Sequence, residues 1–348
     1  MDHPEHELGH GHEPGHGHEH EHVPFPSIES YHKFMHYFAR GDGAHVDLVG
    51  TVKLHGTNAA IVFHADPSGG APSFHLQSRN RVVTPASDNA GFAAFSVGLP
   101  MADIAEAYRR IAPFETTLIL YGEFCGKGIM SNVAVCQLPK MFVVFAVNAD
   151  GRWHDLREAL EWPEYRVYSV LRGGTFEVSL EVPHGAKVPT LRDAGDPPEI
   201  RSITDAVERE CPFAKTFGVS GVGEGVVWRV RDRIDACFKS KGTKHAGTPK
   251  PPRKPTADTT FTCTCTYVVP ERTLEQGVEY LVEMGHPVTM ESLPAFMRWV
   301  KTDVEREDGD LIEASCGCPR DRQETMRALN LRIREWFEAR VARRRLST

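Results

Sequence analysis

Val46, Leu48, Gly50, Val52 and Leu54 recur at every second position, the period of a strand with one buried face; Asp47, Val49, Thr51 and Lys53 fall on the other face. Similar alternation predicts short strands over 46–54, 59–64, 73–77, 117–121, 141–148, 225–230 and 234–241, with a helix over 101–111. No signature can be read between 150 and 219. The Pro- and Lys-rich run T-K-H-A-G-T-P-K-P-P-R-K-P-T-A-D lacks a period and reads as a linker, placed at 248–260. Beyond it the spacing becomes helical. Leu274, Val278 and Leu281 line one helix that Gly285 could end; Leu293, Phe296, Met297 and Val300 line a second; Met326, Leu329, Ile333, Trp336 and Phe337 line a third. The expected fold is therefore α+β: a mixed domain over 23–247 dominated by short strands, then a small all-helical domain over 261–348. The helical stripes are core by default. The A-R-V-A-R-R-R-L end is either a solvated face or a phosphate-contacting patch.

A chain of 348 residues, 41% hydrophobic, can bury a proper core in one large or two unequal domains. No run reaches the roughly 18 apolar residues of a membrane helix and the N-terminus has no apolar signal core, so a soluble, cytoplasmic, monomeric protein without a membrane partner is expected. Residues 1–22 hold eight of the eighteen histidines and six acids but no Lys or Arg. They read as a disordered tail, a passive extension or a loose binder of transition metal. Without those acids the formal charge of -7 falls to -1, so local basic patches decide whether nucleic acid binds. Cys263/Cys265 and Cys316/Cys318 form two C-x-C pairs that could close a zinc site. The two-residue spacing usual for such sites is missing, and buried thiols are the simpler account.

Lys53 sits at the end of its strand, just before a Gly-Thr-Asn turn. A lone strand lysine is ordinarily a solvated edge residue. Other charges recur at the ends of strands. Glu123 follows a strand in L-Y-G-E-F-C-G-K-G-I-M, Glu224 heads another in G-E-G-V-V-W-R-V, and Lys239 and Lys241 share one face in C-F-K-S-K. That set suits nucleotidyl transfer to an amine. Lys53 must lose its proton to attack an α-phosphate, which desolvation and the cations at Lys239 and Lys241 favour. Glu123 or Glu224 can help to hold a divalent cation.

These segments resemble, in order, the motifs of the covalent nucleotidyltransferases: K-L-H-G-T-N motif I, G-E-F-C-G-K-G-I motif III, M-F-V-V-F-A-V motif IIIa, E-G-V-V motif IV and C-F-K-S-K motif V. DNA ligases and capping enzymes usually carry Asp at the third position of motif I. His55 stands there, as in the RNA ligase 2 type, the phage double-stranded RNA ligase and the trypanosome RNA-editing ligases. F-P-S-I-E-S-Y, L-Q-S-R-N-R-V-V-T-P-A and G-I-M-S-N-V are similar to further stretches of that group, and the helical C-terminus resembles its small RNA-sensing domain.

The resemblance implies that Lys53 becomes lysyl-AMP, flanked near adenine by Val52 and Leu54. His55 and Asn58 would orient phosphate, metal-bound water or the RNA end; Arg79 would contact ribose or 5′-phosphate, Glu123 a ribose hydroxyl, and Phe145 would stack on adenine. Glu224 would serve the metal and the reaction, Lys239 and Lys241 the α-phosphate, with Glu123 and Glu224 as metal residues. From the residues alone Phe145 competes with Phe142, Arg79 with Arg81, and His55 could be structural. The implied fold is the nucleotidyltransferase one, antiparallel sheets with flanking helices, and the implied activity is an ATP-dependent RNA ligase using Mg²⁺ or Mn²⁺ on RNA ends, at nicks in duplex RNA. Its rivals are a DNA ligase or capping guanylyltransferase on the same fold, and a non-catalytic RNA- or metal-binding protein.

Overall fold

The structure, a computed structural model, describes residues 21–31, 34, 44–182, 196–231, 233–242, 269, 271–316 and 319–345. Its strands are β1 (Glu29–Ser30), β2 (Ala44–Lys53), β3 (Thr57–His64), β4 (Ser73–Ser78), β5 (Val82–Val83), β6 (Thr117–Cys125), β7 (Met141–Ala149), β8 (Arg152–His154), β9 (Val167–Ser169), β10 (Thr175–Val182), β11 (Gly225–Val230) and β12 (Arg233–Lys241). They form a sheet in the order β1-β12-β11-β2-β10 and a second in the order β5-β4-β3-β6-β7-β8, with β9 beside β7. Pairing is antiparallel except for β1 with β12 and β9 with β7. The expected mixed fold with its antiparallel sheets and its helical C-terminal region is the one observed.

The alternation in β2 does what its spacing requires. Val46, Leu48, Val52 and Leu54 are buried in one core with Ile61 and Phe63 of β3, Leu118, Leu120 and Phe124 of β6, and Trp228 of β11. Helices α1 (Phe92–Ser96) and α2 (Met101–Arg109) add Phe92, Ile104 and Tyr108 to it. Each such side chain contributes about 1.5–3 kcal/mol by leaving water. Gly50 belongs to this face for want of room: a Cβ there would stand 2.8 Å from the Trp228 ring.

Two expectations need correction. Glu123 does not follow its strand but lies inside it, because Phe124 and Cys125 are both buried and β6 stays paired with β7 as far as Cys125 opposite Met141. The stretch 150–219, which carries no readable signature, holds β8, β9 and β10 and helices α3 (Pro198–Arg209) and α4 (Pro212–Lys215). β10 pairs with β2 from Thr175 opposite Thr51 to Val182 opposite Ala44, so it flanks the lysine-bearing strand along almost its whole length.

Helices α5 (Glu271–Glu283), α6 (Leu293–Ser315) and α7 (Pro319–Arg345) build a separate core from Leu274, Leu281, Phe296, Val300, Leu329, Ile333 and Phe337. Gly285 ends α5 with a left-handed φ of 73°, and Gly277 lets α6 approach, since a Cβ there would meet Phe296 and Val300 at 2.7 Å. Residues 1–20, the 248–260 linker, Cys263, Cys265 and Cys318 lie outside the described residues. Of the histidine-rich stretch, Glu21 and His22 are described, with His22 Nε2 3.1 Å from the Ser78 carbonyl oxygen. Cys316 Sγ lies 3.7 Å from Thr325 Oγ1. Among the described residues no group of three or more His, Cys, Asp or Glu side chains could hold a metal ion, and no helix is long and apolar enough to cross a membrane.

Candidate active site

Residues directly opposite one another in an antiparallel ladder share a face. Lys53 of β2 stands opposite Gly225 of β11, which stands opposite Lys241 of β12; one row further on, Thr51, Val227 and Lys239 are aligned in the same way. Three lysines from two strands therefore share the face of the first sheet that turns away from the core. Glu224, just ahead of β11, is drawn into this row. Lys53 Nζ donates to its Oε2 at 2.8 Å, His55 Nδ1 lies 3.4 Å from the same oxygen, and Lys241 Nζ lies 3.9 Å from Oε1. The Glu224 side chain is fully buried and that of Lys53 is 17% exposed. A carboxylate at such depth persists only because cations and donors surround it.

Gly225 makes the row possible. Its φ of 154° lies outside the range of ordinary L-residues, and a Cβ would stand 2.1 Å from the Ser240 carbonyl oxygen of β12. On the second sheet Glu123 Oε1 accepts the Gly56 N–H at 2.7 Å, which presses the H-G-T-N turn onto β6. Asn58 lies opposite Glu123 in the β3–β6 ladder. Gly56 has no space for a side chain, since a Cβ would meet the Phe124 carbonyl oxygen at 2.3 Å. Beside Glu123, burial first and the neighbouring carboxylate second push the Cys125 thiol well above its usual value, which keeps it from acting as a nucleophile.

Val52 and Leu54 flank Lys53 with their side chains buried in the core, so a nucleotide lying beside Lys53 would meet their backbone. Phe142 is fully buried against Phe92 at 5.2 Å. Phe145 occupies the β-bulge between Val144 and Ala146, where Gly122 pairs with Val144 and Tyr121 with Ala146. Half-buried, it packs edge-to-face on Phe25 at 5.0 Å in a cluster with Tyr121 and Trp153. The two phenylalanines are thus separated by environment, and Phe145 is the accessible one. The two arginines separate as well. Arg81 donates to the carbonyl oxygens of Glu283, Val82, Ser87 and Asp88 at 2.8–3.1 Å, whereas Arg79 is exposed on the turn after β4.

Sequence reasoning missed the ion pair of Arg229 with Asp155, 2.6 Å, which ties the lysine-bearing face of the first sheet to the chain just after β8 of the second. Nothing in either segment signals it. It also missed the glycine before V-V-W, whose place at the head of an apolar strand is the signal of a close backbone approach.

Residues 46–241 match the protein family described as RNA ligase. The chain belongs to the RNA ligase family. The matched span opens in β2 and closes on Lys241, so every candidate site residue from Val52 onward lies within it, whereas the helical unit and Phe25 lie outside. Among solved structures, Naegleria gruberi RNA ligase with pyrophosphate is 17% identical at a TM-score of 0.39, covering 64% of this chain and 57% of that one. A mutant of the same protein with ATP and manganese gives 15% and 0.39, and another with AMP and manganese 16% and 0.39. The chain spans 57% of the length of these solved relatives. No curated protein matches.

Proposed function

We propose that the protein is an ATP-dependent RNA ligase joining a 3′-hydroxyl to a 5′-phosphate at nicks in duplex RNA, and that Lys53 carries the adenylate. The observation that carries this is the row Lys53–Gly225–Lys241 with Glu224 buried against both lysines, inside the span that matches the RNA ligase family.

Three displacements at phosphorus make up the reaction. Lys53 Nζ, freed of a proton, attacks the α-phosphorus of ATP; an N–P bond forms, the bond to the bridging oxygen breaks, and pyrophosphate leaves. A 5′-phosphate oxygen of RNA then attacks the same phosphorus and Lys53 is released. Last, the 3′-hydroxyl loses its proton, attacks the activated 5′-phosphorus and expels AMP. Nζ is engaged as a donor to Glu224 at 2.8 Å, so this contact must give way before a lone pair is available. Lys239 and Lys241 would then face the α-phosphate as point charges. Glu123 would hold the ribose, Phe145 would stack on adenine, and Asn58, His55 and Arg79 would orient phosphates or the RNA end.

A hard divalent cation takes one or two carboxylates plus phosphate oxygens and water rather than a full protein cage. Glu224 or Glu123 would supply such a carboxylate, and Mg²⁺ or Mn²⁺ held there would offset triphosphate charge as the amine approaches. Exposed Arg327, Arg332, Arg334, Arg340 and Arg343 on α7 suit the phosphates of an RNA duplex. The free thiols at Cys125, Cys136 and Cys211 suit a reducing, cytoplasmic setting.

The test is incubation with α-labelled ATP or GTP in Mg²⁺ or Mn²⁺, followed by sealing of nicked RNA–RNA, RNA–DNA and DNA–DNA duplexes by wild type and Lys53→Ala. Covalent label from ATP and Lys53-dependent sealing of nicks with RNA ends are expected. Label from GTP alone, or equal sealing by Lys53→Ala, refutes the assignment.

A further inference from the structure

The turn that presents Arg79 is held by a residue of the helical unit. At the end of α5 the Glu283 carboxylate takes the Ser78 hydroxyl on one oxygen and Asn80 Nδ2 on the other, the latter at 2.9 Å. Its backbone carbonyl oxygen accepts Arg81 Nε at 2.9 Å. Residues 78, 80 and 81 are thereby fixed by one residue roughly two hundred positions later, and Arg79 lies between them. The contact continues inward. Arg81 also donates to the carbonyl oxygens of Ser87 at 2.8 Å and Asp88 at 3.0 Å, and the next residue, Asn89, donates through Nδ2 to Thr57 Oγ1 at 3.2 Å. Thr57 follows Gly56, whose N–H is held by Glu123. Hydrogen bonds linked through neighbouring backbone residues thus lead from the helical unit through the Arg79 turn to the turn that follows the candidate nucleophile.

We infer that Glu283 is a positioning residue for the ligase site: by clamping Ser78 and Asn80 it sets the direction in which Arg79 meets the phosphate or ribose of its substrate. This rests on the proposed ligase reaction. A helix whose only task were to shield the core would place apolar side chains on this turn. Here instead a carboxylate satisfies two side-chain donors on either side of one arginine, and a carboxylate is the group best suited to hold two donors at once. Coupling of this kind predicts that Glu283 matters only as far as Arg79 does.

The experiment is a double-mutant cycle in the full-length protein, with Glu283→Ala, Arg79→Ala and the pair. The rate of lysyl-AMP formation is read by intact mass, the rate of nick sealing by gel, and folding by thermal melting. Glu283→Ala should lower one of the two rates about ten-fold with its melting curve within a few degrees of wild type. Glu283→Gln, which keeps an acceptor for Asn80 and a hydrogen-bonding partner for Ser78, should recover most of the loss. In the Arg79→Ala background Glu283→Ala should add nothing. Wild-type rates in Glu283→Ala, or a ten-fold loss repeated undiminished on top of Arg79→Ala, overturns the inference while leaving the ligase assignment standing. Absence of any lysyl-AMP in the wild type overturns both, and is distinguished by that control.

Discussion

Gly225→Ala should damage stability and chemistry together. The added Cβ would stand 2.1 Å from the Ser240 carbonyl oxygen and 2.9 Å from Lys241 Cα, both backbone atoms of the adjoining strand, so no side chain can swing aside. Restoring an ordinary contact means moving β12 away from β11 by about 1 Å, which stretches the ladder hydrogen bonds around Gly225 and Lys241 beyond useful length. Overpacking of this sort costs about 1–3 kcal/mol, and a φ of 154° costs an alanine a further ~1 kcal/mol. About 3 kcal/mol in a domain of this size lowers the melting temperature by roughly 6–12 °C. The same displacement carries Lys241 away from Glu224, already 3.9 Å distant, and a misplacement near 1 Å can slow a reaction by about 10²-fold. The control is Gly128→Ala, where φ is 83° but nothing lies within 4 Å of the new carbon, so only the backbone penalty applies. Circular dichroism melting and the rate of lysyl-AMP formation by mass spectrometry read the two effects. If Gly225→Ala melted and reacted like Gly128→Ala, the close strand approach would not be what aligns the lysines.

Glu224→Ala should lose about 3–5 kcal/mol of stability, because Lys53 and Lys241 would both lose the carboxylate they share, whereas Lys53→Ala leaves Glu224 with Lys241 and should lose less; equal urea midpoints for the two variants would contradict the shared carboxylate. Cys125 is fully buried with its thiol pushed up first by burial and then by Glu123, so iodoacetamide at pH 8 should leave it unmodified in the native protein and label it after denaturation. Burial raises the Asp196 carboxyl to about 6 from an ordinary 3.8, against a smaller opposing pull from Arg201. The native state holds this proton where the unfolded chain has lost it, so stability falls as pH rises from about 4 to about 6, by at most ~3 kcal/mol. Asp196→Asn should flatten that interval in a pH series of urea titrations, and an unchanged slope would count against it.

How much of this was legible depended on how strongly each segment's residues constrained one another. In β2 the alternation from Val46 to Leu54 fixed both the buried face and the outward direction of Lys53, since a one-residue slip would exchange the two faces. β11 was equally plain. Glu123 was misplaced because Gly122 interrupts the apolar run just where the strand continues. Its smallness is what admits the Phe142 ring, which a Cβ at 122 would meet at 2.4 Å. β8 and β9 are three residues each, too short to display a period. β10, T-F-E-V-S-L-E-V, does alternate and could have been found. The candidate lysines and glutamates stood out as charges at the ends of apolar strands. Glu283, Arg229 and Asp155 could not stand out, because their roles arise only from contacts across long sequence separation.

That separation has a consequence during synthesis. Lys53 and its carboxylate partner are 171 residues apart along the chain, and the lysines of the last strand emerge later still. At about 5–20 residues per second, a ribosome exposes the amine roughly ten to thirty seconds before Glu224 exists to meet it. Throughout that interval the nascent chain carries an ordinary hydrated lysine, and a message truncated before codon 241 would yield a protein with the amine but without the full set of charges around it.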